Sequence, residues 1–147
     1  MMRTTRLLRR IALAVNVMAL GLSANVACAD VVAVVSAKSA VTTLSRNQVA
    51  DIFLGRASRF PNGSPAVPID QDEGSAARNE FYLDFAGYSP ARVKAHWSKI
   101  IFTGRGQPPR EVRNANEVKK IIAANPNAVG YIEQHAVDER VRVLAGQ

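Results

Sequence analysis

The residues best suited to chemistry lie in VPIDQDEGSAARNEF, Val67 to Phe81. An apolar, strand-like start runs through a polar, acidic loop into Gly74-Ser75 and then into a segment with helical spacing. The free N–H groups of a helix's first turn point at whatever precedes it, so this is the wiring of an anion cradle. Its donors would be the backbone of Gly74, Ser75, Ala76 and Ala77, together with the Ser75 hydroxyl. Asp70, Asp72 and Glu73 in the same loop would repel an anion. The plainer reading of Ser75 is a helix cap, worth about 1 kcal/mol. A second segment, TGRGQPPREVR, carries Arg105, Arg110 and Arg113, with Gly104 and Gly106 permitting close backbone approach. Taken alone it reads as a solvated basic loop.

Other chemistry finds less support. His96 lies beside Trp97 with no carboxylate near it in sequence, and His135 sits among Glu133, Asp138 and Glu139. That is too few ligands on one turn, and no His-x-x-x-His or Glu-x-x-His pair occurs, so neither a metal nor another cofactor is expected. No serine occupies a Gly-x-Ser-x-Gly elbow. An enzyme would rest on unplaced carboxylates alone, and the expectation is a protein without catalytic residues.

The elements that position these loops follow an export-type leader. Arg3, Arg6, Arg9 and Arg10 precede the apolar IALAVNVMALGL, and Ala27-Cys28-Ala29 offers a small-residue cleavage site. The polar Asn25 stands where a lipid-anchoring signal has an aliphatic residue, so soluble export, to the periplasm or outside, is favoured over anchoring through Cys28. Removing residues 1–29 from the 147 leaves 118, the size of one domain, residues 30–147. It also removes four arginines, so a net charge of +7 falls to +3 and a nucleic-acid partner loses its support. The single cysteine leaves with the leader, and stability must come from packing.

Within the remainder, VVAVVS (31–36), AVPI (66–69), AVGYI (128–132) and VRVL (141–144) read as short strands. Pro68 suggests that one side of its strand is unpaired. Four helices carry start signals: Ser45 with Gln48, Ser75, Ser89 followed by Pro90, and Asn114 with Glu117. Their expected buried stripes are Val49, Ile52 and Phe53; Ala77, Phe81 and Phe85; Val93, Trp97, Ile100 and Ile101; and Val118, Ile121 and Ile122. Alternating strands and helices predict an α/β layered domain with a mixed sheet of about four strands.

Several of these segments together carry a resemblance: TLSRNQVADIFLGRASRFPNGSPAVPID, GSAARNEFY, HWSKIIFTGRGQPPREV and VKKIIAANPNAVGYI. The chain resembles the phosphate-binding-protein-like domain family, the periplasmic substrate-binding components of phosphate ABC transporters, and especially their short, single-lobe relatives. The resemblance implies one lobe of a type II periplasmic-binding-protein fold, with ligand held at helix N-termini facing a cleft. The proteins resembled carry an arginine, three residues, then Ser-Gly-Thr before the second-lobe helix. Here the serine falls on Ser75, the arginine on Gln71, the second glycine on Ala76 and the threonine on Ala77. Losing two such side-chain contacts, at roughly 1.5–3 kcal/mol each, would weaken a phosphate site about a hundredfold or more. Arg78, one turn into the helix, could partly replace the lost charge.

Two functions follow as expectations. One is an exported solute-binding domain with weak phosphate or oxyanion affinity at Gln71, Gly74, Ser75, Ala76, Ala77 and Arg78. The other is a periplasmic interaction module that has lost its ligand and docks an envelope protein, a transporter component or a second copy of itself.

Overall fold

Side chains that alternate along the strands sort themselves onto two apolar faces of one sheet. The computed structural model describes residues 30–146, so the leader and Cys28 lie outside the described residues. The strands are β1 (Val31–Ser36), β2 (Val67–Gln71), β3 (Arg110–Val112), β4 (Ala128–Glu133) and β5 (Val141–Val143), in the order β3-β2-β4-β1-β5. β1 runs antiparallel to β4 and β5, while β2 runs parallel to β3 and β4, which makes the sheet mixed.

One face, with Ala33, Val35, Val129 and Tyr131, packs beneath α1 (Arg46–Phe53), α2 (Ala76–Ala86) and α3 (Pro90–Phe102). The other face, with Val34, Ile69, Ala128 and Ile132, receives Val118 and Ile122 of α4 (Ala115–Ala124). At the centre of that second face stands Gly130. A methyl group there would lie 2.7 Å from both Ile122 Cδ1 and Val118 Cγ1, so α4 rests directly on the sheet backbone.

The helices begin where their capping residues direct. Ser45 and Gln48 form the reciprocal box at α1, and Ser89 accepts from the Arg92 N–H ahead of Pro90 in the first turn of α3. Among the described residues no helix is long and apolar enough to cross a membrane.

The expected mixed sheet gains one strand, and one expectation needs correction. The sheet has five strands, because Arg110–Val112 of the basic loop pairs with Ile69–Gln71. β3 joins one residue after Pro68, which itself pairs with Val129 of β4, so the missing proline N–H interrupts no ladder. Ile101, placed in the buried stripe of α3, is 55 % exposed, and Phe102 beside it is 92 % exposed. α3 outruns the surface it packs against.

Candidate functional site

The start of α2 stands between two concavities, and the residues singled out from the sequence divide between them. The first is open, about 510 Å³, and lies between the starts of α2 and α4. Gln71 and Ser75 line it from the α2 side, Arg113, Asn114, Ala115 and Asn116 from the α4 side, and Glu133, His135 and Ala136 from the turn after β4.

Each helix is capped by its own side chain. Ser75 Oγ accepts from Arg78 N at 3.3 Å and Asn114 Oδ1 accepts from Glu117 N at 3.1 Å. The N–H groups of Ala76 and Ala77, and those of Ala115 and Asn116, find no acceptor among the described residues. Two helix starts, each with unpaired donors and a positive dipole end, therefore border one hollow. Arg113 and His135 are among its lining residues, and each side chain carries N–H donors.

Gln71 is buried and held in place. Its Nε2 donates to the Tyr131 carbonyl at 3.1 Å, and its Oε1 lies 3.4 Å from the Ser75 hydroxyl. The Ala77 methyl packs into the apolar core, which leaves that residue only its N–H to offer a ligand.

Gly74 and Arg78 lie on the other side, in a cavity of about 180 Å³ between α2, α3 and the segment leading into β3. Arg78 Nε stands 3.6 Å from Asp70 Oδ2, and its Nη1 stands 3.4 Å from Glu111 Oε1. The guanidinium is thus turned away from the hollow between the helix starts and faces two carboxylates.

Asp70 itself is not a solvated loop acid. It belongs to β2, is 1 % exposed, and accepts hydrogen bonds from the hydroxyls of Tyr131 and Tyr82, the latter at 2.6 Å, and from Gln71 N at 2.8 Å. Burial pushes its carboxyl above the ordinary aspartate range, opposed by the two tyrosine hydrogen bonds and by Arg78. The same burial, with the neighbouring carboxylate, pushes both tyrosine hydroxyls up. Of the three acids expected to repel an anion, Asp70 is enclosed and Glu73 pairs with Lys94 at 3.5 Å.

The basic loop contributes unevenly. Arg113 arrives at the hollow beside Ser75, whereas Arg110 borders a separate groove with Lys120 and Ile121 along α4. His96 is occupied with Leu54, its Nε2 lying 2.8 Å from that carbonyl oxygen. Among the described residues no group of three or more His, Cys, Asp or Glu is placed to hold a metal ion.

Neither a family model nor a curated protein matches the chain. Solved structures do. A protein from Clostridium perfringens described as a phosphate ABC transporter substrate-binding protein, solved with bound phosphate, superposes with a TM-score of 0.62 at 19 % identity. An ABC-type phosphate transport receptor from Vibrio cholerae gives 0.60 at 20 %, and PstS from Borrelia burgdorferi gives 0.52 at 16 %. Each match covers 78 % of this chain and 43 %, 44 % and 46 %, respectively, of the other, so the chain spans less than half the length of these structures. The five-stranded mixed sheet with its flanking helices is the fold of a single lobe of the phosphate ABC transporter substrate-binding proteins.

Proposed function

We propose that this protein is an exported, non-enzymatic solute-binding domain that holds an oxyanion, phosphate foremost, in the hollow between the starts of α2 and α4. One observation carries the reading: two helix N-termini with unpaired N–H groups border the same open concavity, with Arg113 among its lining residues. The fold shared with phosphate-transport proteins supports it, and the Arg78 guanidinium beside Asp70 offsets part of that acid's repulsion. The donors assigned are the N–H groups of Ala76, Ala77, Ala115 and Asn116, the Ser75 hydroxyl proton being directed at Gln71 Oε1. Arg113 supplies the charge, since Arg78 faces Asp70 and Glu111. Glu133 on the same rim can only accept a proton, which favours a protonated phosphate over sulfate.

Calorimetry of the purified protein tests this. Phosphate is expected to bind in the millimolar range or tighter and ahead of sulfate. Arg113→Ala should weaken phosphate about 10- to 100-fold, the range set by one charged hydrogen-bonding group. No heat with millimolar phosphate, or unchanged affinity in the Arg113→Ala protein, would remove the proposal.

A further inference from the structure

The end of α3 carries an apolar surface that nothing among the described residues covers. Phe102 and Ile101 lie on it, and every residue from 101 to 108 is exposed, so the helix end and its following turn stand clear of the body. The turn is nevertheless closed on itself. Gly104 takes the left-handed step, at φ 66°; its N–H donates to the Ile101 carbonyl, and the Arg105 N–H donates to the Ile100 carbonyl, both at 3.1 Å. The Thr103 N–H donates to the Lys99 carbonyl at 3.1 Å, and the Thr103 hydroxyl lies 2.9 Å from that same oxygen. Three carbonyls that an exposed helix end ordinarily leaves to water therefore have protein donors.

The charge around this end has one sign. No Asp or Glu occurs between Asp84 and Glu111, a stretch that carries Arg92, Lys94, Lys99, Arg105 and Arg110. Lys99 precedes Phe102 by three residues and so shares its face of α3, and Arg105 follows in the closed turn. Neither has an ion-pair partner among the described residues. The acids that border the neighbouring cavity with Ile101 are already matched, Glu73 with Lys94 at 3.5 Å and Glu111 with Arg78 at 3.4 Å.

We propose that the end of α3 docks on the surface of a bilayer containing anionic phospholipid. Phe102, with Ile101 beside it, enters the boundary between headgroups and acyl chains, while Lys99 and Arg105 meet the headgroup charge. The closed turn suits that place, because carbonyls with internal donors lose little on leaving water. A protein partner fits less well: a stable protein interface buries about 800 Å² on each side, and a lone phenylalanine offers about 200 Å². No residue of α3 lines the hollow between α2 and α4, so the docking end is independent of the oxyanion reading.

The purified lobe, residues 30–147, tests this; it holds both apolar faces of the sheet with the helices on them and lacks the basic, apolar leader. It should float with vesicles of equal parts phosphatidylglycerol and phosphatidylcholine and stay behind with phosphatidylcholine alone. Phe102→Ser should weaken vesicle binding about tenfold, and Lys99→Gln and Arg105→Gln about fivefold each, with all three variants melting as the parent does. Free phosphate at constant ionic strength should displace none of it. No flotation with phosphatidylglycerol, equal flotation with phosphatidylcholine alone, displacement by phosphate, or unchanged binding by Phe102→Ser would each overturn the assignment, the last by leaving charge attraction alone. Self-association without vesicles that Phe102→Ser removes would give the face to a second copy and overturn it as well.

Discussion

Asp70→Ala is expected to lower folding free energy by about 3–5 kcal/mol, because it removes one partner from a buried charged network. The hydroxyls of Tyr82 and Tyr131 would lose their acceptor, and the Arg78 guanidinium would keep only Glu111. The cost comes from these stranded donors more than from the attraction of the ion pair itself. Asp70→Asn, which retains an oxygen for one tyrosine, should cost less. Urea unfolding followed by circular dichroism reads both, as a lower midpoint with unchanged slope. A loss below about 1 kcal/mol for Asp70→Ala would show that the network holds little of the fold.

The same carboxyl gives stability a pH dependence with a definite sign. Burial raises its folded pKa above the ordinary 3.8, so between 3.8 and the folded value the native state binds more protons than the unfolded chain. Its contribution is greatest below that window and declines as pH rises through the folded pKa, a slope that Asp70→Ala should abolish. Asp138 behaves oppositely. Hydrogen bonds from Arg140 and then Lys119 hold it below 3.8, so its contribution is present above 3.8 and is lost only as pH falls further.

Phe81→Ala is expected to cost about as much, roughly 3–5 kcal/mol, for a different reason. Phe81 is fully buried in the middle of a ring cluster. It stacks on Tyr131 at 4.0 Å and meets Phe53 and Phe85, each at 4.7 Å, and Tyr82 at 5.2 Å. Truncation removes apolar burial, aromatic contacts worth about 0.5–1.5 kcal/mol per pair, and the support behind Asp70's two tyrosine partners. Phe81→Leu, which fills more of the space, should recover part of the loss. Equal midpoints for the two variants would mean that the cluster collapses around the gap.

What could be read from the sequence was local. Ser45 with Gln48, Ser75, Ser89-Pro90 and Asn114 announce their helices because a cap needs only its own first turn. The stripe Ala77, Phe81, Phe85 is equally self-contained. β3 was hidden because Arg-Glu-Val has no alternation to display, and it is a strand only because β2 offers an open edge. Asp70 looked like a loop acid because the apolar run ends at Ile69, while the ladder continues to Gln71. Its partners lie 12 and 61 residues along the chain, a distance over which spacing says nothing. Arg78 and Arg113 are the instructive pair. The arginine next to the motif turns away to distant carboxylates, and the remote one, read as a solvated loop residue, comes to the helix start.

The absent side chain at Gly130 works as a shim of zero thickness. Because α4 sits flush on the sheet there, the height of its first turn, and so the spacing between its N–H groups and those of α2, is set from beneath by a residue outside the hollow. Gly130→Ala inserts a methyl into two contacts of 2.7 Å and should cost about 1–3 kcal/mol while lifting the helix by a few tenths of an ångström. Phosphate affinity measured on that variant should fall although every lining residue is intact. Oxyanion capture in this lobe would then be tuned by floor height as much as by the groups on the rim.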